Sequence, residues 1–144
     1  MMECKLAYKK YPYKMTLGAM KEFKADTGKD MWQMLWGFIT AYRESEGLDQ
    51  FKRLEQLTSV CNFFDASHLL LCLFKAENKC ITIEEVQDAM FRVSGRPNPN
   101  DDELSHPWPL VVVLIAYEID DYFASNIEVK KKEAMSAASQ EQQS

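Results

Sequence analysis

The stretch "DASHLLLCLFKAENK", residues 65–79, decides the fold. Leu69, Leu70, Leu71, Cys72, Leu73 and Phe74 follow one another with no polar interruption, so a helix through them is apolar on most of its sides. Such a helix belongs inside a protein, surrounded by others. Residues 65–79 are therefore expected to form the central helix of a mainly helical domain. His68 lies on it beside three leucines. With no acid or nucleophile at a fixed spacing, it reads as a hydrogen-bonded core or boundary histidine rather than a catalytic base.

Toward the C-terminus the next start signal is Thr82-Ile83-Glu84-Glu85, a capping box with Ile81 as staple residue. The helix it opens carries Val86, Met90, Phe91 and Val93 and is expected to stop at Gly95. "GRPNPNDDELSHPWP", residues 95–109, is rich in turn formers. It lacks the central Gly and terminal Glu of a calcium-binding EF-hand loop, so calcium is not expected. Pro109 suits the first turn of a last helix, where its missing N–H is not needed. That helix is expected to run to about Ser125, apolar nearly all round in its first half and amphipathic in its second. Beyond Ile127 the text "EVKKKEAMSAASQEQQS" has almost no large apolar residues and reads as a disordered, solvated tail.

Toward the N-terminus, Phe51, Leu54, Leu57 and Val60 keep a helical period over residues 51–61. Asp30 opens an earlier helix with Gln33 at the capping-box position. Met31, Met34, Leu35, Phe38, Ile39 and Tyr42 mark its apolar face, widened by Trp32 and Trp36. Trp36 is expected in the core, the place of Trp32 is open, and Gly47 closes the helix or its turn. The Gly28-Lys29 pair invites a phosphate-loop reading. Phe23 stands where that loop needs glycine, and Asp30 where it needs Ser or Thr. Thr16 as N-cap and Gly28 as C′ residue instead bound an ordinary helix over 17–27. Before it, "CKLAYKKYPYKM", residues 4–15, alternates partly and contains Pro12, which suits an edge strand or short hairpin. The expected organisation is a helical domain of about five to six helices over residues 1–128, with a flexible polar tail over 129–144.

The chain has 144 residues, 47% of them hydrophobic and 27% charged, and a net charge of −5, which places it among soluble single domains with a sizeable core. The longest apolar run, "LVVVLIAY" at 110–117, is too short to span a bilayer, and no secretory signal pattern stands at the N-terminus. Cys4, Cys61, Cys72 and Cys80 show no C-x-x-C pair, and His68 and His106 do not complete a zinc-type ligand spacing with them. Buried free thiols in a reducing cytosol are expected, and no metal or other cofactor. Lysines concentrate in residues 1–24, while residues 97–128 hold acidic groups and no Lys or Arg. The basic "YKKYPYK" segment could stack bases, but lysines guarding a sheet edge explain it more simply.

Two segments, "KMTLGAMKEFKADTGKDMW" and "LLLCLFKAENKCITIEEVQDAM", resemble tail assembly chaperones of long-tailed bacteriophages and phage-like gene transfer agents. Thr16-Leu17-Gly18-Ala19, Gly28, Leu69 to Leu71 and Thr82 to Val86 carry the likeness, which covers about two thirds of the chain. The resemblance implies a late, nonenzymatic protein of the host cytoplasm that binds the tape measure protein, helps recruit tail tube protein and is absent from the finished virion. A homo-oligomer is compatible with it; nucleic acid and membrane are not expected partners. Met31, Trp32, Leu35, Trp108, Val112 and Ile119 are candidate partner contacts, in competition with internal packing of the same helical stripes. Many members of the resembling family are made in two lengths by ribosomal frameshifting, for which the A-rich codons of Lys130-Lys131-Lys132 are the candidate region. The alternatives are a minor structural tail or head–tail connector protein and a small nucleic-acid-binding regulator.

Overall fold

In the computed structural model, residues 2–93 and 106–143 are described, those from 126 onward as backbone. The central helix, α4, spans Phe63–Lys75 and buries every residue from Leu69 to Phe74. It begins two residues before the expected Asp65, because Asn62 is the cap: its Oδ1 accepts from the Asp65 N–H at 2.8 Å. Three elements cover it. These are α1 (Leu17–Thr27), α5 (Ile83–Arg92) and β2 (Lys9–Tyr13), the second strand of a hairpin begun by β1 (Met2–Leu6).

The hairpin is antiparallel, with Cys4 opposite Tyr11 and Met2 opposite Tyr13. Alternation sends Leu6, Tyr11 and Tyr13 inward and leaves Lys5, Lys9 and Lys10 exposed. Tyr11 stacks on Phe74 of α4 with ring centroids 4.7 Å apart. The Lys14 N–H donates to the Leu73 carbonyl at 3.1 Å, satisfying one of the acceptors that a helix end leaves without an internal donor. The hairpin is thus bonded to the end of the central helix as well as packed on it. Pro12 pairs with Glu3 in β2, a strand with no third neighbour among the described residues.

The start and stop signals work as read. Thr16 Oγ1 accepts from the Ala19 N–H at 3.0 Å, and Gly28 takes φ 74° while its N–H reaches the Lys24 carbonyl. Thr82 caps α5, and the staple pair Ile81 and Val86 is buried. Two more helices lie between α1 and α4: α2 (Met31–Glu44), capped by Asp30, and α3 (Gln50–Val60), capped by Asp49. The long α6 (Trp108–Gln143) packs on α2, α3 and β1. Its start is tied to the end of α5 by the Trp108 N–H, which donates to the Val93 carbonyl at 3.1 Å.

The fold is mainly helical, with six helices and an N-terminal two-stranded hairpin among the described residues. Three expectations are corrected. Trp36 is 45% exposed, while Trp32 packs against Phe123 of α6 with centroids 5.3 Å apart. The stripe facing α6 therefore includes the first tryptophan and excludes the second. Phe91 is exposed and Ala89 takes its place in the core face of α5. The backbone of α6 is helical to Gln143 rather than ending near Ser125. Lys, Glu, Ala, Met and Gln dominate that segment, and these are strong helix formers. Gly95 and the 95–105 loop lie outside the described residues. No single helix among the described residues is long and apolar enough to cross a membrane.

Candidate partner-binding surface

The six candidate contacts occupy inward positions. Met31 and Leu35 of α2 and Trp108, Val112 and Ile119 of α6 are buried, and Trp32 is half-buried against Phe123. The i, i+4 and i+7 spacing that singles them out is the spacing by which α2 and α6 join the core. In this conformation they are not presented to a partner. Lys130, Lys131 and Lys132 fall within the helical backbone of α6.

The apolar surface that is accessible comes from other residues. Between the end of α2, the α2–α3 turn and the first turns of α6 lies an open groove of about 380 Å³. Tyr42, Leu48, Leu54 and Leu110 supply its apolar lining, and Gln50, Arg53 and His106 its polar lining. Phe51, 75% exposed, stands one turn before Leu54 on α3, and the exposed Leu114 one turn after Leu110 on α6. Leu48 is itself exposed, in a turn that Gly47 makes with φ 89°.

This corner is held firmly. The Arg53 guanidinium lies 3.6 Å above the Tyr42 ring. Its Nε donates to Ser45 Oγ and its Nη2 to the Tyr42 carbonyl, each at 3.0 Å. Arg53 therefore closes the carbonyl end of α2 from the side of α3, and Ser45 is fully buried beneath it. On the far side Arg43 Nε donates to the Tyr117 hydroxyl at 3.2 Å, and Tyr42 meets the Tyr117 ring edge to face. The groove is thus braced by Arg53 and Arg43, with Leu48 exposed in its lining and the exposed Phe51 and Leu114 on the same helix faces as Leu54 and Leu110. Such a surface can receive the apolar stripe of a helix without reorganising itself.

The basic hairpin offers less to nucleic acid than its sequence suggests. Tyr11 and Tyr13 are buried, so neither ring can stack on a base, which leaves Tyr8 as the exposed ring of that segment. Lys9 is drawn to Glu85 at 3.6 Å. At the Gly28-Lys29 turn Lys29 is committed to an ion pair with Asp65.

Nucleophilic chemistry has little to draw on in the buried Cys61 and Cys72 or the half-buried Cys4. Burial, with smaller contributions from nearby carboxylates, pushes Cys4, Cys61 and Cys72 up to about 12. A thiol so placed is protonated at neutral pH and reacts poorly. Tyr13 is raised as well, first by burial and then by the Glu118 carboxylate on α6. Both Tyr13 and Cys4 feel Glu118, which marks where the hairpin leans on α6. Compared with known protein families, curated proteins and solved structures, the chain matches none.

Proposed function

We propose that this chain is a noncatalytic tail assembly chaperone of a long-tailed phage or phage-like particle, which binds the tape measure protein and helps recruit tail tube subunits in the host cytoplasm. The reading rests on the likeness of the α1 opening and the α4–α5 corner to that group. The observation that carries it physically is the groove lined by Tyr42, Leu48, Leu54 and Leu110, with the exposed Phe51 and Leu114 one helical turn from Leu54 and Leu110. A tape measure protein is a long helical client whose apolar stripes need cover until the tube surrounds them. A groove that sets Tyr42, Leu48, Leu54 and Leu110 among the polar Gln50, Arg53 and His106 would give that cover through helix-in-groove contact.

Co-expression tests the reading. Wild-type chain is expected to raise the soluble fraction of the tape measure protein encoded beside it. The variant carrying Leu48→Glu and Phe51→Glu should lose that effect while keeping its own helical circular dichroism. A client equally insoluble with and without the wild-type chain would sink the chaperone reading. Recovery of the chain from purified particles would transfer the assignment to a minor tail or connector protein.

A further inference from the structure

The seam between α1 and α4 gathers side chains that are remote in sequence. Glu22 and Asp26 stand one turn apart on α1, and His68 and Cys72 stand one turn apart on α4. Donor atoms of Glu22, Asp26 and Cys72 all lie within 4.8 Å of one another. His68 Nδ1 sits 3.8 Å from Asp26 Oδ2. That separation is too long for a hydrogen bond, and Nδ1 is buried with no hydrogen-bond partner among the described residues. The Cys72 thiol forms the buried floor, while the two carboxylates are partly exposed and open the cluster to solvent.

We propose that Glu22, Asp26, His68 and Cys72 form a binding site for a zinc-class divalent cation, one that clamps α1 to α4. Two features favour it over a plain set of ion pairs. The donor set of two carboxylate oxygens, one imidazole nitrogen and one thiolate is the borderline-soft mixture that suits zinc. The unpartnered imidazole nitrogen is turned toward the carboxylate that would share the ion. Tetrahedral bonds of about 2.0–2.3 Å put ligand atoms roughly 3.5 Å apart, so the Glu22, Asp26 and Cys72 donors, now within 4.8 Å of one another, have to draw inward by side-chain rotation, and His68 joins them from its place 3.8 Å from Asp26. As the sulfur–metal bond forms, the Cys72 thiol releases its proton to solvent. Lys75 is the competing cation, with its Nζ 2.9 Å from Glu22 Oε1. It must swing outward, and at 37% exposure its side chain has the room.

Cobalt(II) is the probe, because a thiolate ligand announces itself by a sulfur-to-metal charge-transfer band and a tetrahedral site by intense visible bands. Titration of the full chain carrying Cys80→Ser, which removes the exposed thiol, should give both bands at one equivalent, and zinc should displace them. Cys72→Ser should abolish the charge-transfer band. Asp26→Asn, on the exposed side of the seam, should weaken cobalt binding at least tenfold in a chain whose circular dichroism is unchanged. Lys75→Gln should tighten it severalfold by freeing Glu22, an effect that a merely structural ion pair does not produce. Absence of the bands, or their survival in Cys72→Ser, overturns the site. Neither result bears on client solubility, so the chaperone reading stands or falls separately.

Discussion

At the scale of single residues, Gly37 shows how closely α2 and α3 approach. A Cβ placed there would stand 2.9 Å from Val60 Cγ1, inside the normal contact distance, and valine has one short branched side chain with which to yield. Alanine is intrinsically better than glycine in a helix by about 1 kcal/mol. The overpacking penalty of about 1–3 kcal/mol works the other way. Gly37→Ala is therefore expected to lower stability by about 1 kcal/mol in chemical denaturation. Adding Val60→Ala should recover most of that loss, and a Gly37→Ala chain more stable than the parent would remove the close approach from the account. No sequence pattern announces this contact, because a glycine inside a helical period is read as tolerated unless the facing residue is known. Trp32 and Trp36 carry the same lesson. One turn apart on a helix, they differ only in which of them faces Phe123 of α6, and that is settled by a partner more than eighty positions away.

At the scale of elements, caps and periods were legible because their causes are local. Thr16, Asp30 and Thr82 each accept from the backbone N–H three residues on, and Gly28 adopts the left-handed turn expected of it. Pairings between elements were not legible, and the buried acids of the hairpin and the α3–α4 corner depend on them. Cys4, Tyr11 and Cys61 are each raised to about 12, first by burial. These groups are neutral when protonated, so a raised folded value favours the protonated form. Their contribution is fully present below the unfolded values of 9.0 for the thiols and 10.0 for the tyrosine, and it is lost as pH climbs toward the folded values. Stability should thus fall on the alkaline side, by about 1.4 kcal/mol per pH unit for each group that ionises on unfolding. Urea midpoints collected from neutral pH to pH 11 check this. Cys61→Ala should make the alkaline fall shallower as well as shifting the whole curve, and an unchanged slope would show that Cys61 is not among the titrating groups. The α1–α4 cluster escaped the sequence for the same reason, since Asp26 and Cys72 meet only once both helices have packed.

At the scale of the whole molecule, the fold divides along α6. Its first half belongs to the core, and Ile119 and Phe123 are the last described residues packed there. Beyond Phe123 the helix continues to Gln143, about 30 Å further at 1.5 Å per residue. The strong helix formers of that segment account for its helical backbone, while its lack of large apolar residues, legible in the sequence, leaves it outside the core. In residues 133–144 the apolar side chains are Ala134, Met135, Ala137 and Ala138, too little area to add much burial. Deleting residues 133–144 is therefore expected to leave the unfolding free energy within about 0.5 kcal/mol of the parent, and a larger loss would place that segment in the cooperative core. Lys130-Lys131-Lys132 lies just before the dispensable stretch. If their A-rich codons let some ribosomes change frame, the domain through Phe123 would be common to both products, and the longer one would carry different sequence after α6 has left the core. The fold tolerates such an exchange, since no described core residue follows the lysines. Mass spectrometry of protein made from its native gene region is expected to find a minor, longer product that shares residues 1 to about 130 with the 144-residue form. A single species, or lysine codons that cannot re-pair after a slip, would eliminate the two-product mechanism while leaving the groove and its client test untouched.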